Sequence, residues 1–294
     1  MGDDFWLILS VSVFSGLADY VRHSSQLLFF TILAVALKFT PHHPEPLART
    51  RCLALARDQV LRIVSDDGSR TVESVQALLL MVEYKEPTDE SAYLYLGMAC
   101  RLAMDLDLAS PYPLPSSSSH APFFDSNEAE ERQSRNRYRA LLNCFNADHR
   151  FAGCGQNFSK PTMMPEDLSA VRNAATFHRH ELATAYDARL VAAVHLRRLL
   201  ARYDALLKAN KEREGGGGGG EDGEGGQSVP LFNLRELWAA VEGELAEWRA
   251  FWTVEIRTAS ESSSRAWAWV GRCADAHQIG FTLQIRMRTY CSWC

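Results

Sequence analysis

The sequence predicts an all-α protein, an irregular multi-helix bundle with a Gly-rich flexible insert. Apolar residues recur at the spacing of one helix face in most segments, as Leu53, Ala56 and Val60 do. No segment shows the alternation of apolar and polar residues that is typical of a half-buried strand. A run of glycines mixed with acidic residues, Gly215–Gly226, has no apolar side chain to bury, and this predicts the flexible insert.

The expected helices are separated by prolines, glycines and short polar turns. Pro41, Pro44 and Pro46 stop the second helix, because proline lacks the amide donor and clashes with the preceding turn. The Pro/Ser-rich stretch Pro111–Pro122 predicts a loop before an Arg-rich helix. In chain order the expected helices are Val11–Tyr20, Ser25–Phe39, Leu47–Val64, Val72–Tyr84, Asp89–Leu106, Glu128–Phe151, Phe177–Lys211 as one helix or two, Leu231–Thr258 and Ala266–Arg288.

The Gly-rich run predicts how the chain is divided. Residues 1–212 are expected to form a helical domain, residues 213–228 a disordered linker, and residues 229–294 a C-terminal helical segment. The last residues, Tyr290–Cys294, carry neither a helix cap nor a polar tail. The C-terminal segment is therefore expected to be truncated.

Composition and charge narrow the function classes. The chain has 294 residues, of which 47% are hydrophobic and 23% charged, as is typical of soluble globular proteins. Its net charge of -5 argues against nucleic-acid binding through an overall basic surface. Seven scattered cysteines indicate reduced thiols in the cytosol or nucleus rather than a disulfide framework. The pair Cys291 and Cys294 lacks the second ligand pair of a zinc site.

The N-terminal region is unusually apolar, in Phe5–Leu17 and Leu27–Phe39. A signal peptide needs a positively charged start, whereas Asp3 and Asp4 come first here. Asp19 interrupts the apolar run that a membrane span would need. Both segments are therefore expected to be buried core helices, with no membrane contact.

Catalytic patterns are absent from the sequence. It contains no G-x-S-x-G, no Walker loop and no H-E-x-x-H. His178 and His180 are spaced so that they do not share a helix face. We therefore predict no catalytic, cofactor-binding or metal-binding residue, and no enzyme activity.

Three arginines of the Arg-rich helix, Arg132, Arg135 and Arg139, form one stripe. Acidic residues at 128, 130 and 131 lie beside them, and no aromatic residues interleave with them as a stacking platform would need. The stripe is therefore expected to be a solvated, ion-paired face next to an apolar core stripe. Asp148 lies at the edge of that core stripe, where a buried carboxylate needs a partner. Arg101 is the expected partner.

Three segments occur in a fixed order that points to a known family. They are TVESVQALLLMVEY (Thr71–Tyr84), AYLYLGMACRLAMDLDLA (Ala92–Ala109) and ERQSRNRYRALLNCFNADHRFAGCGQNFSKP (Glu131–Pro161). Together they resemble the middle regulatory region of fungal transcription factors of the zinc-binuclear-cluster class. In that family an SxQALLLL helix precedes a YLGMAxRLAxDLGL helix, and an Arg-rich helix ending in F-x-x-D-R follows. The resemblance covers about Leu27 to Leu168.

The residues that match the family motifs are expected to be structural. They are Gln76, Leu79, Gly97, Arg101, Asp105, Arg135, Arg137, Phe145, Asp148, Lys160 and Pro161. The sequence also departs from the motifs. Asp107 stands where the family has a glycine, which would end the helix in a left-handed cap. His149 stands where the family has arginine, and Leu141 and Leu142 replace tryptophans.

The resemblance implies a nuclear regulator of RNA polymerase II genes, which links DNA binding to activation. Its implied partners are the transcription machinery or co-regulator proteins, and a homodimer is left open. In the family a zinc-holding six-cysteine cluster contacts DNA, but no C-x-x-C-x(6)-C run occurs here. The chain itself is therefore expected to hold no cofactor, and to be a fragment or a regulator without its own DNA reader.

Two other classes remain open from the sequence. One is an all-helical enzyme of the prenyl-diphosphate-dependent type, which a set of carboxylates lining a pocket would favour. The other is a helical protein-binding scaffold, which a long apolar groove would favour.

Overall fold

The structure is a computed structural model, and it describes residues 21–39, 47–65, 69–86, 89–108, 110, 126–153, 162–215 and 234–260. Within these ranges the chain forms helices joined by turns and contains no strand, so the all-α prediction is confirmed. The expected helices Val11–Tyr20 and Ala266–Arg288 lie outside these ranges, as do most of the Gly-rich insert, Lys160 and Pro161. In chain order the helices are α1 (Gln26–Lys38), α2 (Ala48–Ser65), α3 (Val72–Glu83), α4 (Ala92–Asp105), α5 (Ser126–Gly153), α6 (Ser169–Asn173), a 3-10 helix (Ala174–Arg179), α7 (Ala185–Gly215) and α8 (Leu234–Ser260).

Helix α1 begins at a sequence-encoded cap. The Ser25 hydroxyl accepts a hydrogen bond from the Leu28 amide at 3.2 Å, which satisfies one of the free donors of the first turn. Leu27, Ala34 and Val35 are buried where α1 packs on α2 and α3. No helix in the described ranges combines the length and apolarity that a bilayer crossing requires.

Each of the three motif segments supplies one helix to the same core. Helices α3, α4 and α5 pack against one another. Val75 and Leu78 on α3, Leu96 on α4, and Leu142 and Phe145 on α5 are completely buried. Full burial of an apolar side chain of this size contributes about 1.5–3 kcal/mol. The segments that carry the family motifs therefore form the centre of the domain.

Helix α4 ends in a left-handed cap at Asp107, the position where the resemblance led us to expect glycine. Asp107 has a φ of 49°, the one positive value at a non-glycine residue in the described ranges. The Asp107 amide donates to the Met104 carbonyl at 3.0 Å, and the Leu108 amide donates to the Ala103 carbonyl at 3.0 Å. This is the hydrogen-bond pattern of a Schellman motif. The aspartate therefore takes the left-handed conformation, in which glycine is the less strained residue.

Replacing Asp107 with glycine is expected to raise the free energy of unfolding by about 1 kcal/mol, since glycine lacks the Cβ clash of the left-handed region. Replacing the same residue with alanine keeps the clash and removes the polar group, so no gain is expected. Urea denaturation of the two variants beside the unsubstituted chain measures the difference. Equal stabilisation by glycine and alanine would show that the left-handed cap is not the cause.

The predicted helix Phe177–Lys211 begins later than expected. Residues Ala174–Arg179 form a 3-10 helix, and α7 starts at Ala185. The reason is a capping interaction: the Thr184 amide donates to the Asp187 carboxylate at 2.9 Å, and the Asp187 amide donates to the Thr184 carbonyl at 2.9 Å. An acidic side chain bound to a free amide at the start of a helix stabilises that end.

Helix α8 packs along α7. Tyr203 and Leu207 of α7 form a separate small core with Leu237 and Val241 of α8. Nearer the main core, the Trp248 indole donates to the Ala192 carbonyl at 3.1 Å. The predicted division into residues 1–212, 213–228 and 229–294 stays a prediction.

Candidate functional site

A cluster of buried charges lies where α5, the 3-10 helix and the start of α7 meet. Its members are Arg135, Arg139 and Asp187, and we name it the Asp187 cluster. Arg139 binds both carboxylate oxygens, with Nε 2.6 Å from Oδ1 and Nη2 2.7 Å from Oδ2. Arg135 Nη2 lies 3.0 Å from Oδ2. Asp187 is 0% exposed and Arg135 1% exposed, so the ions are removed from water.

Arg135 makes two further contacts that hold it in place. Its Nη2 donates to the Phe177 carbonyl at 3.1 Å, and its guanidinium carbon lies 4.0 Å from the centre of the Phe177 ring. A guanidinium above an aromatic face is attracted by the ring quadrupole, more strongly when both are desolvated. The cluster thus joins three elements that are separated in sequence.

The electrostatics of the cluster favour the charged forms. Burial alone would raise the pKa of Asp187, but the hydrogen bonds and charge of Arg139 and the Thr184 amide outweigh it, so the pKa lies below its usual value. Burial lowers the pKa of Arg135, and its contact with Asp187 partly offsets this. The pKa of Arg139 is raised because Asp187 outweighs its burial. The cluster is an ionic clamp rather than a proton donor or acceptor.

The prediction of a solvated arginine face is wrong for two of its three residues. Arg132 is exposed, but Arg135 is buried and Arg139 is partly buried on Asp187. Two basic side chains that could have met phosphate are turned into the core. Asp187 carries a sequence signal of its own, because Thr184 and Asp187 form the T-x-x-D pattern that indicates a helix start.

Asp148 is a buried carboxylate with main-chain partners. Its Oδ2 accepts hydrogen bonds from the Met163 amide at 2.7 Å and the Met164 amide at 2.8 Å. Burial raises the pKa of Asp148, and these two amides only partly offset it. Arg101 is exposed on α4, so the predicted Arg101–Asp148 pair is wrong. The backbone amides of Met163 and Met164, in the segment that follows α5, take the place of the expected Arg101 guanidinium.

His149 is buried beside Asp148 on the same helix. Its Nδ1 lies 3.1 Å from the Phe145 carbonyl one turn earlier, and its ring lies 4.0 Å from the Phe145 ring. The carbonyl can only accept, so Nδ1 carries the hydrogen. Burial lowers the pKa of His149 to about 4, since water no longer stabilises the charged ring. The residue that replaces the family's arginine is therefore neutral in the folded protein near pH 7.

Other motif residues tie the three central helices together. The Gln76 amide nitrogen lies 2.9 Å from Asn136 Oδ1, which joins α3 to α5. Arg137 Nη2 donates to the Leu106 carbonyl at 2.9 Å and so caps the end of α4. A Cβ on Gly97 would lie 3.4 Å from the Met163 sulfur, so there is little spare room there.

The remaining motif residues lie outward or pack at the edge of the core. Leu79 is partly buried against the main core. Asp105 is exposed and lies 3.8 Å from Arg70. Among the described residues, no group of three or more His, Cys, Asp or Glu side chains could hold a metal ion.

A cavity of about 430 Å³ lies among α1, α2, α3 and the turn that leads into α4. We name it the α1–α2–α3 cavity. Its apolar wall includes Val35, Leu53 and Met81. Ion pairs cross its mouth from α2 to the α3–α4 turn: Arg49 binds Glu86, and Arg57 Nη2 lies 3.4 Å from Asp89 Oδ2. The cavity therefore has an apolar interior and a charged rim, as small-molecule sites commonly do.

Lys38 also lines the α1–α2–α3 cavity. Its ammonium donates to the Tyr84 carbonyl at 3.1 Å and the Lys85 carbonyl at 3.2 Å, and lies 3.5 Å from Glu86. These contacts use its three donors and complete the C-terminus of α3. The hydrogen bond from Arg49 lowers the pKa of Glu86, although this carboxylate is well exposed to solvent.

Comparison with known proteins agrees with this architecture. A family model described as the fungal specific transcription factor domain matches residues 8–168, which is more than half of the chain. Searches against curated proteins and against solved structures found no match. The matched range contains α1 to α5, which contribute more than half of the buried residues of the main core and include the three helices around the α1–α2–α3 cavity. The chain belongs to the fungal-specific transcription factor domain family.

Proposed function

We propose that this chain is the regulatory domain of a nuclear RNA polymerase II transcription factor and links DNA binding to activation. The observation that carries the proposal is the family match over residues 8–168, within which the three motif segments pack as one core. The family is one of transcription factor domains and not of enzymes, so we propose no catalytic activity. The partners that this role requires are the transcription machinery or co-regulator proteins.

DNA contact belongs, in this proposal, to a zinc cluster outside these 294 residues. The positions of the motif arginines support it. Major-groove reading needs exposed bidentate donors on a presented element, whereas Arg135 and Arg139 are both engaged by Asp187. The net charge of -5 further weakens attraction to the phosphate backbone.

Residues 1–294 alone are expected to bind DNA weakly and without sequence preference, and to lose that binding as salt is added. A titration of the purified chain against random and genomic duplexes near 0.15 M salt measures this. The variant Arg132→Gln removes the exposed arginine of the stripe and should change little. Enrichment of a defined DNA sequence that persists at this salt concentration would refute the proposal that DNA recognition lies outside residues 1–294.

A further inference from the structure

We propose that the α1–α2–α3 cavity binds a small organic carboxylate with an apolar body. This goes beyond the regulatory role, because it names a ligand class and the residues that would hold it. Three features of the cavity support it: its shape, its unused hydrogen-bond donors and its charge balance.

The shape suits a small amphipathic molecule. The volume of about 430 Å³ falls within the range of about 300–1,000 Å³ that is typical of ligand sites. Arg49, Leu53 and Arg57 recur every four residues, so α2 presents one face to the cavity with an apolar side chain between two guanidinium groups. Val35 and Met81 line the opposite walls. An apolar chain can therefore lie across Leu53 while its charged end reaches an arginine.

The two arginines of the rim, Arg49 and Arg57, have unused hydrogen-bond donors. A guanidinium has five N–H donors. Arg57 makes one contact of 3.4 Å with Asp89 and remains 53% exposed. Arg49 contacts Glu86 through Nη2 and its side chain remains 31% exposed, so part of its guanidinium is open to a ligand oxygen.

Two of the three rim carboxylates, Glu86 and Asp89, are by contrast already bound. Glu86 accepts from Arg49 and lies 3.5 Å from Lys38. Asp89 accepts from the Ser91 amide at 2.9 Å and contacts Arg57. The lining also has four positive side chains and three negative ones. The positive ones are Lys38, Arg49, Arg57 and Lys85, and the negative ones are Glu86, Asp89 and Glu90. The charge balance and the free donors both favour an anion over a cation.

The test is isothermal titration calorimetry of the full chain with three probes of equal length: octanoate, octylamine and octanol. Saturable binding of octanoate, with weaker or no binding of the other two, is expected. Arg49→Gln and Arg57→Gln should each weaken octanoate binding by about tenfold or more, as expected for loss of a charge-assisted hydrogen bond. Leu53→Trp should block the cavity and abolish binding.

Arg62→Gln is the matched control, because Arg62 is an exposed arginine of the same helix that does not line the cavity. It should leave octanoate binding unchanged, and circular dichroism should show that every variant keeps its helix content. Absence of octanoate binding, equally tight binding of octanol, or an equal effect of Arg62→Gln would each overturn the proposal. None of these results depends on whether the chain regulates transcription, so failure of the site is distinguishable from failure of the regulatory role.

Discussion

Replacing Asp187 with asparagine is expected to lower the free energy of unfolding by about 3–5 kcal/mol, the cost of leaving buried charges without a counter-ion. The substitution keeps the shape of the side chain but removes the charge that binds Arg135 and Arg139. Both arginines would then face each other inside the core. Urea denaturation followed by circular dichroism measures the loss.

Asp204→Asn is the matched control on the same helix. Asp204 is partly buried, whereas Asp187 is completely buried, and the partner of Asp204, Lys208 at 2.9 Å, is 68% exposed, so solvent should limit the contribution of this pair to about 1 kcal/mol. A double variant, Asp187→Asn with Arg135→Met, should recover part of the loss because it removes one unpaired charge. Equal effects of Asp187→Asn and Asp204→Asn would contradict the view that the Asp187 cluster clamps α5 to α7.

His149 is expected to make the protein less stable as the pH falls. The pKa of His149 is about 4 in the folded protein, whereas the reference value of 6.5 applies to the unfolded chain. As the pH falls, the unfolded chain therefore takes up the proton first. The contribution of neutral His149 is therefore fully present above pH 6.5 and is lost as the pH falls toward 4. Between pH 7.5 and pH 5 the loss should be about 2 kcal/mol.

The variant His149→Gln should lack this part of the pH dependence, while His180→Gln should retain it. His180 is partly exposed, and its Nδ1 accepts a hydrogen bond from the Leu182 amide at 3.1 Å. The measurement is the free energy of unfolding from urea denaturation at both pH values, for the unsubstituted chain and each variant. The same slope in His149→Gln as in the unsubstituted chain would refute the assignment.

The sequence was sufficient to predict the helical class and most helix positions. The apolar spacing of Leu53, Ala56 and Val60 indicates the inner face of α2, because a helix repeats every 3.6 residues, and Ala56 and Val60 are buried. The predicted start of α7 lies too early, because the T-x-x-D cap at Thr184 sets where the helix begins. Local patterns therefore predict helices well and their exact ends less well.

Contacts between distant segments could not be predicted in the same way. Periodicity places Arg135 and Arg139 on one stripe of α5, but it does not show that Asp187, some fifty residues later, lies opposite. The same holds for Asp148, whose partners are the backbone amides of Met163 and Met164. Almost every residue type has a backbone amide, so the sequence gives no sign of this contact. The α1–α2–α3 cavity likewise depends on how three helices meet, which the sequence of each helix does not specify.

The most direct test of the proposed function is a reporter-gene measurement in cells. Residues 1–294 are fused to an unrelated DNA-binding domain whose site lies upstream of the reporter. We expect the fusion to change reporter output relative to that DNA-binding domain alone at equal nuclear abundance, and we expect Asp187→Asn to diminish the change. Output identical to that of the DNA-binding domain alone, from a folded and nuclear fusion, would contradict the regulatory role.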